Sequence, residues 1–489
     1  MIPIIIVVGY FVVFSLIFGL RSRKHLSGGG DFFGAKNRLG WFAVLCSFVL
    51  APLGGGHTTA MIEMGNIGVG ILWWGILCGG IFVPIFLQGF GVWFKRLGVD
   101  TFPQALGRVF GSEIKVYNSA IAPVGWLCGC IVEMIGISTV IYCLSGGRIP
   151  YSPWCILLAG VLNVLYILFG GMLQAAQMNI INAVMLFAGG FIGVFYMGGW
   201  FPGGFQGVAD YYAAAGAPLQ TNLFHIDSTI LFEIMIPVVL LHVFSVSSEQ
   251  AQYESMVAAK DEHAIRKGTF LGSLLNSFAA TPWVTMALIA LAVPSVVSAI
   301  GSNGRLSVAE LALQAMPPWL IGVVMTGLMC ALLSTSSAAT LGIATVVTDD
   351  ILVPAIGRDK VSEKKRVMIG RLIMVAVTLG CVIPGLFVSV AVPLMYWGFS
   401  LSIPLVINYL IGLFWQKNKK AAWINLIVPL GVNFWWTFAR PDWCPDVFSL
   451  SFYPVFAVTI ILGIILNLAM PGEPGLMKEI RAKKKAKAA

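Results

Sequence analysis

The chain has 489 residues, of which 58% are hydrophobic and only 10% charged, with a formal net charge of +9. Soluble globular chains carry roughly 25% charged residues, so this composition excludes a soluble enzyme or a nucleic-acid-binding module. It indicates an all-α polytopic membrane protein whose principal partner is the lipid bilayer.

Apolar runs long enough to span hydrocarbon place thirteen helices near 2–20, 40–65, 70–94, 116–144, 151–169, 178–200, 228–249, 268–298, 317–347, 368–390, 393–415, 421–437 and 450–470. The first follows Met1-Ile2-Pro3 without a basic leader, so it is expected to stay in the membrane. With the N-terminus outside, all but Arg148, Arg305 and Arg440 of the 30 lysines and arginines fall in inner loops or the C-terminal tail. That segregation obeys the positive-inside rule and supports both the count and the orientation. A multi-pass protein of the cytoplasmic (inner) membrane is expected, with Lys483-Lys484-Lys485 facing the cytoplasm. Eight of the nine cysteines lie in or beside apolar spans, and they read as small hydrophobes rather than a disulfide or metal framework.

The second span contains Leu50-Ala51-Pro52-Leu53-Gly54-Gly55-Gly56-His57-Thr58. Proline removes a donor and clashes one turn back, and three glycines favour unwinding. A break at mid-membrane frees carbonyls, here those of Leu50 and Leu53, and begins a new half-helix whose N-terminus can meet a ligand. The alternative is a glycine face for close helix packing. His57, just past the break, is either a solute contact or a satisfied interior histidine. In the fourth span Glu133 is buried mid-membrane with Trp126 seven residues earlier on the same face, and intramembrane carboxylates mark functional sites by default. Glu233 and His242 in the seventh span are further candidates, whereas Glu63 is expected to be solvated near the outer surface.

The ninth span concentrates hydroxyls in Ser334-Thr335-Ser336-Ser337. Ala331, Ser334 and Thr335 share a helix face, so a carbonyl and two hydroxyls converge. Neutral oxygens at membrane depth suit a hard monovalent cation. They can equally satisfy themselves on the preceding turn's carbonyls.

Several segments together resemble the sodium:solute symporter family: Asp31-Phe32-Phe33 with Asn37-Arg38-Leu39-Gly40-Trp41, Thr101-Phe102-Pro103 with Arg108-Val109-Phe110-Gly111, Gly170-Gly171-Met172, Ala258-Ala259-Lys260-Asp261, and Gly412-Leu413-Phe414-Trp415. The resemblance implies a five-plus-five inverted-repeat core with a broken first core helix. It divides the chain into 1–37 (peripheral helix and inner loop), 38–200 (first repeat), 201–227 (outer loop), 228–416 (second repeat) and 417–489 (two peripheral helices and basic tail). It also implies sodium as the coupling ion, held by Leu50, Leu53, Ala331, Ser334 and Thr335. Solute would lie among Gly55, Gly56, His57, Thr58, Trp74, Trp126, Glu133, Gln250, Tyr396 and Trp397. Where many members carry an aspartate this chain has Asn179, which implies one sodium per solute. The family's Gln-Arg pair in the sixth core helix is replaced by Glu254-Ser255.

The expected function is therefore sodium-coupled symport of a small organic solute into the cell by alternating access, by a monomer. An amine, a quaternary ammonium or a polar neutral solute is favoured, because no carboxylate-gripping arginine faces the core and aromatic faces attract cations. Proton-coupled or uncoupled transport is the nearest alternative. A channel lacks a filter repeat, a sensor would need a domain that the tail after Met470 does not offer, and no catalytic constellation is recognisable.

Overall fold

The computed structural model describes residues 1–23, 29–34, 37–51, 54–82, 91–149, 153–167, 171–387 and 391–480. Among them are 10 helices long and apolar enough to cross a membrane, one bent pair that forms a further span, and two shorter apolar helices, Val69–Ile81 and Trp154–Tyr166. These elements coincide in order and position with the thirteen expected spans, the two short ones adjoining residues outside the description.

Seven helices position the site: α1 (Trp41–Leu50), α2 (Gly55–Glu63), α3 (Ser112–Leu144), α4 (Gly171–Trp200), α5 (Gln250–Ala258), α6 (Pro318–Val346) and α7 (Ala391–Ser400). The second span is broken as its sequence dictates: α1 stops at Leu50 and α2 begins at Gly55, with Gly54 extended between them. Pro52 and Leu53 lie outside the described residues. The glycines after the break are required by proximity: a Cβ on Gly54 would sit 2.2 Å from Thr335 Oγ1, and one on Gly55 2.4 Å from the Leu332 nitrogen. α6 packs against α3 and α4, and at the α4 crossing a Cβ on Gly189 would come within 3.1 Å of Gly327 Cα. Small residues let membrane helices approach this closely.

The seventh span differs from expectation. It does not end near residue 249 but bends by 52° between Ile230–Val246 and α5. Ser247 and Ser248 sit at the bend, their hydroxyls donating to the Val243 and Ser245 carbonyls at 2.5 and 2.7 Å. Serines bonded back to their own turn compete with the helix ladder, which explains a break with neither proline nor glycine. The far end of α5 is tied to the start of α1: the Arg38 and Leu39 amides donate to Ala258 O at 2.8 and 2.9 Å, and Lys260 N donates to Leu39 O at 2.9 Å. All nine cysteines are buried and free.

Candidate functional site

The hydroxyl cluster of α6 meets the end of α1. Thr335 Oγ1 lies 2.8 Å from the Leu50 carbonyl and 3.0 Å from the Ala331 carbonyl, donating to both. Leu50 ends α1, so its carbonyl has no partner further along a helix. Ser334 turns elsewhere and donates to Asn179 Oδ1 on α4 at 2.6 Å, while Asn179 Nδ2 donates to Ser47 Oγ on α1 at 3.3 Å. Three of the expected ion ligands, Leu50, Ala331 and Thr335, therefore converge on one point, and Ser334 stands beside them in a polar chain linking α1, α4 and α6. Leu53 falls outside the described residues. Back-bonding also occurs, as Ser337 and Thr340 donate to the Ser334 and Ser336 carbonyls at 2.9 and 2.7 Å.

A second cluster lies past the break and is aromatic. His57, early in α2, is 4.9 Å from His242, 6.1 Å from Trp74 and 6.0 Å from Phe399, ring centre to ring centre. Trp74 lies 5.3 Å from His242 and 5.8 Å from Tyr396, and His242 is 5.7 Å from Phe399. Tyr396 and Phe399 are one turn apart on α7, so both reach the same space. All five rings are buried. Both ring nitrogens of His57 and of His242, the Trp74 indole nitrogen and the Tyr396 hydroxyl have no hydrogen-bond partner. A buried polar group left unpaired costs about 1–3 kcal/mol, so six such atoms on neighbouring rings form a set that a polar ligand could complete.

Glu133 meets the break itself. Its side chain is buried, and it accepts a 2.7 Å hydrogen bond from the Gly56 amide at the start of α2. A carboxylate there satisfies an orphan donor and complements the helix dipole. Thr58 and Thr59 donate back to the Gly54 and Gly55 carbonyls at 3.2 and 3.0 Å.

Of the expected solute residues, His57, Trp74 and Tyr396 come together in the ring cluster, with Gly55, Gly56, Thr58 and Glu133 beside it at the break. Trp126 is buried with an unpartnered indole nitrogen but makes no ring contact with the cluster among the described residues. Gln250 is elsewhere: its amide donates to Asp100 O at 2.8 Å and accepts from the Phe102 amide at 3.2 Å. Trp397 packs on Phe434, at 5.8 Å, on the peripheral helix Lys419–Ala439. Phe399 was missed, although its spacing from Tyr396 would have found it. Glu63 is not simply solvated but forms a 2.9 Å ion pair with Arg305, whose side chain is 5% exposed.

Toward the lysine- and arginine-rich end, α6 runs on into Val347–Leu352. There Asp350 accepts from Thr101 Oγ1 at 2.6 Å and Gln104 Nε2 at 2.9 Å and pairs with Lys115 at 2.9 Å. Asp349 takes Arg366 bidentately at 2.7 and 2.6 Å. These pairs border a cavity of about 590 Å³ lined by Asp100, Lys115, Arg358 and Arg366 among others.

Residues 32–428 match the model of the sodium:solute symporter family. The chain is similar to sodium/glucose cotransporter 4 of Danio rerio, 25% identical over 88% of this chain and 70% of that one. It is likewise similar to the sodium/glucose cotransporter of Vibrio parahaemolyticus, 24% identical over 82% and 78%, and to sodium/myo-inositol cotransporter 2 of Rattus norvegicus, 24% identical over 87% and 68%. Among solved structures, a Na+-coupled sialic acid symporter in a substrate-bound outward-open state superposes with a TM-score of 0.81 at 15% identity, over 97% of this chain and 99% of that one. A nucleobase-cation-symport-1 family transporter in a closed conformation gives 0.58 at 13% identity, over 91% and 96%.

Proposed function

Given that the chain belongs to the sodium:solute symporter family, we propose that it carries a small polar, uncharged organic solute into the cell together with one sodium ion. Sodium is held by the Leu50 and Ala331 carbonyls and the Thr335 hydroxyl, with Leu53 and Ser334 completing the set. A cation at that point replaces the hydroxyl proton as the partner of both carbonyls and clamps the end of α1 to α6. The solute occupies the space between His57, Trp74, His242, Tyr396 and Phe399. Glycines at the break transmit one event to the other, because α2 can seat against Leu332 and Glu133 only while α1 stays docked on Thr335. The two repeats then rock about the filled site.

The single observation that carries this reading is the juxtaposition of a carbonyl–hydroxyl cluster with a ring cluster holding six unpaired polar atoms. Hydroxyl, amide or carbonyl groups of a neutral solute would pair with them. A cationic amine is the second reading, favoured by Glu133 alone, and its weakness is that Glu133 is already engaged by the Gly56 amide. One sodium per solute follows from the neutral Asn179, which is bonded to Ser334 and brings no second negative charge. The test is a thermal-shift screen of small polar solutes with sodium or choline chloride, followed by uptake of the hit into proteoliposomes. We expect stabilisation and accumulation with sodium only; equal uptake under a choline gradient would sink the coupling.

A further inference from the structure

The exit side of α6 holds a buried carboxylate that the transport cycle above leaves unused. Glu254, on α5, is 2% exposed, and its Oε2 has no hydrogen-bond partner. Its Oε1 lies 3.2 Å from Thr345 Oγ1. Thr345 also donates to the Leu341 carbonyl at 2.9 Å, so one hydroxyl proton serves two acceptors. Glu254 and Thr345 line a void of about 20 Å³ together with Gln250, Asp100, Asp349 and Arg366. That volume admits one water-sized particle. Three carboxylates face it against one guanidinium, and Arg366 is occupied bidentately by Asp349. A buried carboxylate oxygen with no partner is costly, and a small cation in the void would relieve it.

The location gives the void a purpose. Thr345 follows Thr335 by ten residues on one continuous helix, about 15 Å nearer the basic end at 1.5 Å per residue. Asp100, Asp349 and Arg366 line both this void and the 590 Å³ cavity beyond it. The void therefore lies between the Thr335 cluster and the cavity, behind the Asp349–Arg366 pair.

We propose that Glu254 and Thr345 form a second, separate sodium site, a relay that receives the ion after it leaves Leu50, Ala331 and Thr335 and before it passes Asp349–Arg366. This rests on the sodium-coupled reading but concerns different residues. Equilibrium binding of radioactive sodium to the purified full-length protein tests it without needing the solute. The parent protein should show two saturable components. Thr335→Ala should remove one, and Glu254→Gln should remove the other while leaving the Thr335-dependent component within twofold. Thr345→Val should weaken the Glu254-dependent component at least tenfold, and it serves as the test if Glu254→Gln fails to fold. A single component in the parent, or two unchanged components in Glu254→Gln or Thr345→Val, overturns the relay site and leaves the transport reading standing. Absence of any saturable sodium binding in the parent overturns the sodium-coupled reading as well.

Discussion

The hydroxyl cluster at Thr335 and the ring cluster at His57 are neighbours across one helix break, yet they handle buried polarity in opposite ways. At Thr335 the groups nearest the break find protein partners: Thr335 bonds Leu50 and Ala331, Ser334 bonds Asn179, and Asn179 bonds Ser47. Around His57 the nitrogens and the hydroxyl find none. Small oxygens on adjacent turns can close on one another and reopen around an ion with little movement. Rings and imidazoles are too large and too rigid for that, so their polar atoms are left unpaired by the protein. On the reading proposed above, a helix break makes two kinds of site at once: freed carbonyls on one side for an ion, and a half-helix carrying side chains on the other for a solute.

The sharpest way to break this comparison is Thr335→Ala. It removes a hydroxyl that bridges α1 and α6 directly, and the sodium needed for half-maximal binding should rise at least 30-fold, roughly 2 kcal/mol. Unchanged sodium binding would mean that the bridge is only back-bonding. Next in size, His242→Phe and Trp74→Phe keep an aromatic ring at each position but delete polar atoms. Each should weaken binding of the solute identified by thermal shift about tenfold while sodium binding alone stays within twofold. If both substitutions instead raise thermal stability with no loss of solute binding, the unpaired atoms are not a ligand site. Ser334→Ala sharpens the comparison from within the hydroxyl cluster. Because Ser334 is turned to Asn179, its loss should raise the sodium requirement only about fivefold, and a loss as large as that of Thr335→Ala would show that Ser334 swings to the ion.

Much of the architecture was legible because the bilayer leaves few choices: apolar run length, the lysine and arginine segregation and Pro52 with Gly54 to Gly56 each act locally along the chain. Helical spacing groups Ala331 with Thr335 and the break singles out Leu50, but only the family resemblance implied that the two would meet. The ring cluster was only half legible. His57, Trp74 and Tyr396 were reached, but Phe399 reads as an ordinary membrane aromatic, and Trp397 and Gln250 were included when they belong to other neighbourhoods. Side-chain direction on a short helix is set by tertiary contact, which spacing cannot supply. The bend at Ser247-Ser248 escaped for a related reason: serines within an apolar run bend a helix only when their hydroxyls turn back onto it. The Glu63–Arg305 pair was not legible because the two residues are distant in sequence.

The smallest expected effect is the most discriminating for the solute. Glu133 sits at the break, and its role depends on whether it serves the protein or the ligand. It accepts the Gly56 amide at 2.7 Å, and a Cβ on Gly56 would lie 2.8 Å from its other oxygen, so the carboxylate is pressed against the first turn of α2. Glutamine keeps an acceptor oxygen and nearly the same volume, so Glu133→Gln can preserve that contact while deleting the charge. If the solute is neutral, the change acts on the first turn of α2 and not on the solute, and solute affinity should fall less than threefold. If the solute is an amine or a quaternary ammonium, the same change deletes its countercharge in a water-poor site, and affinity should fall at least tenfold, roughly 1.4 kcal/mol. Titration of the solute into both proteins at saturating sodium separates these outcomes, and a tenfold loss would replace the neutral solute proposed above with a cationic one.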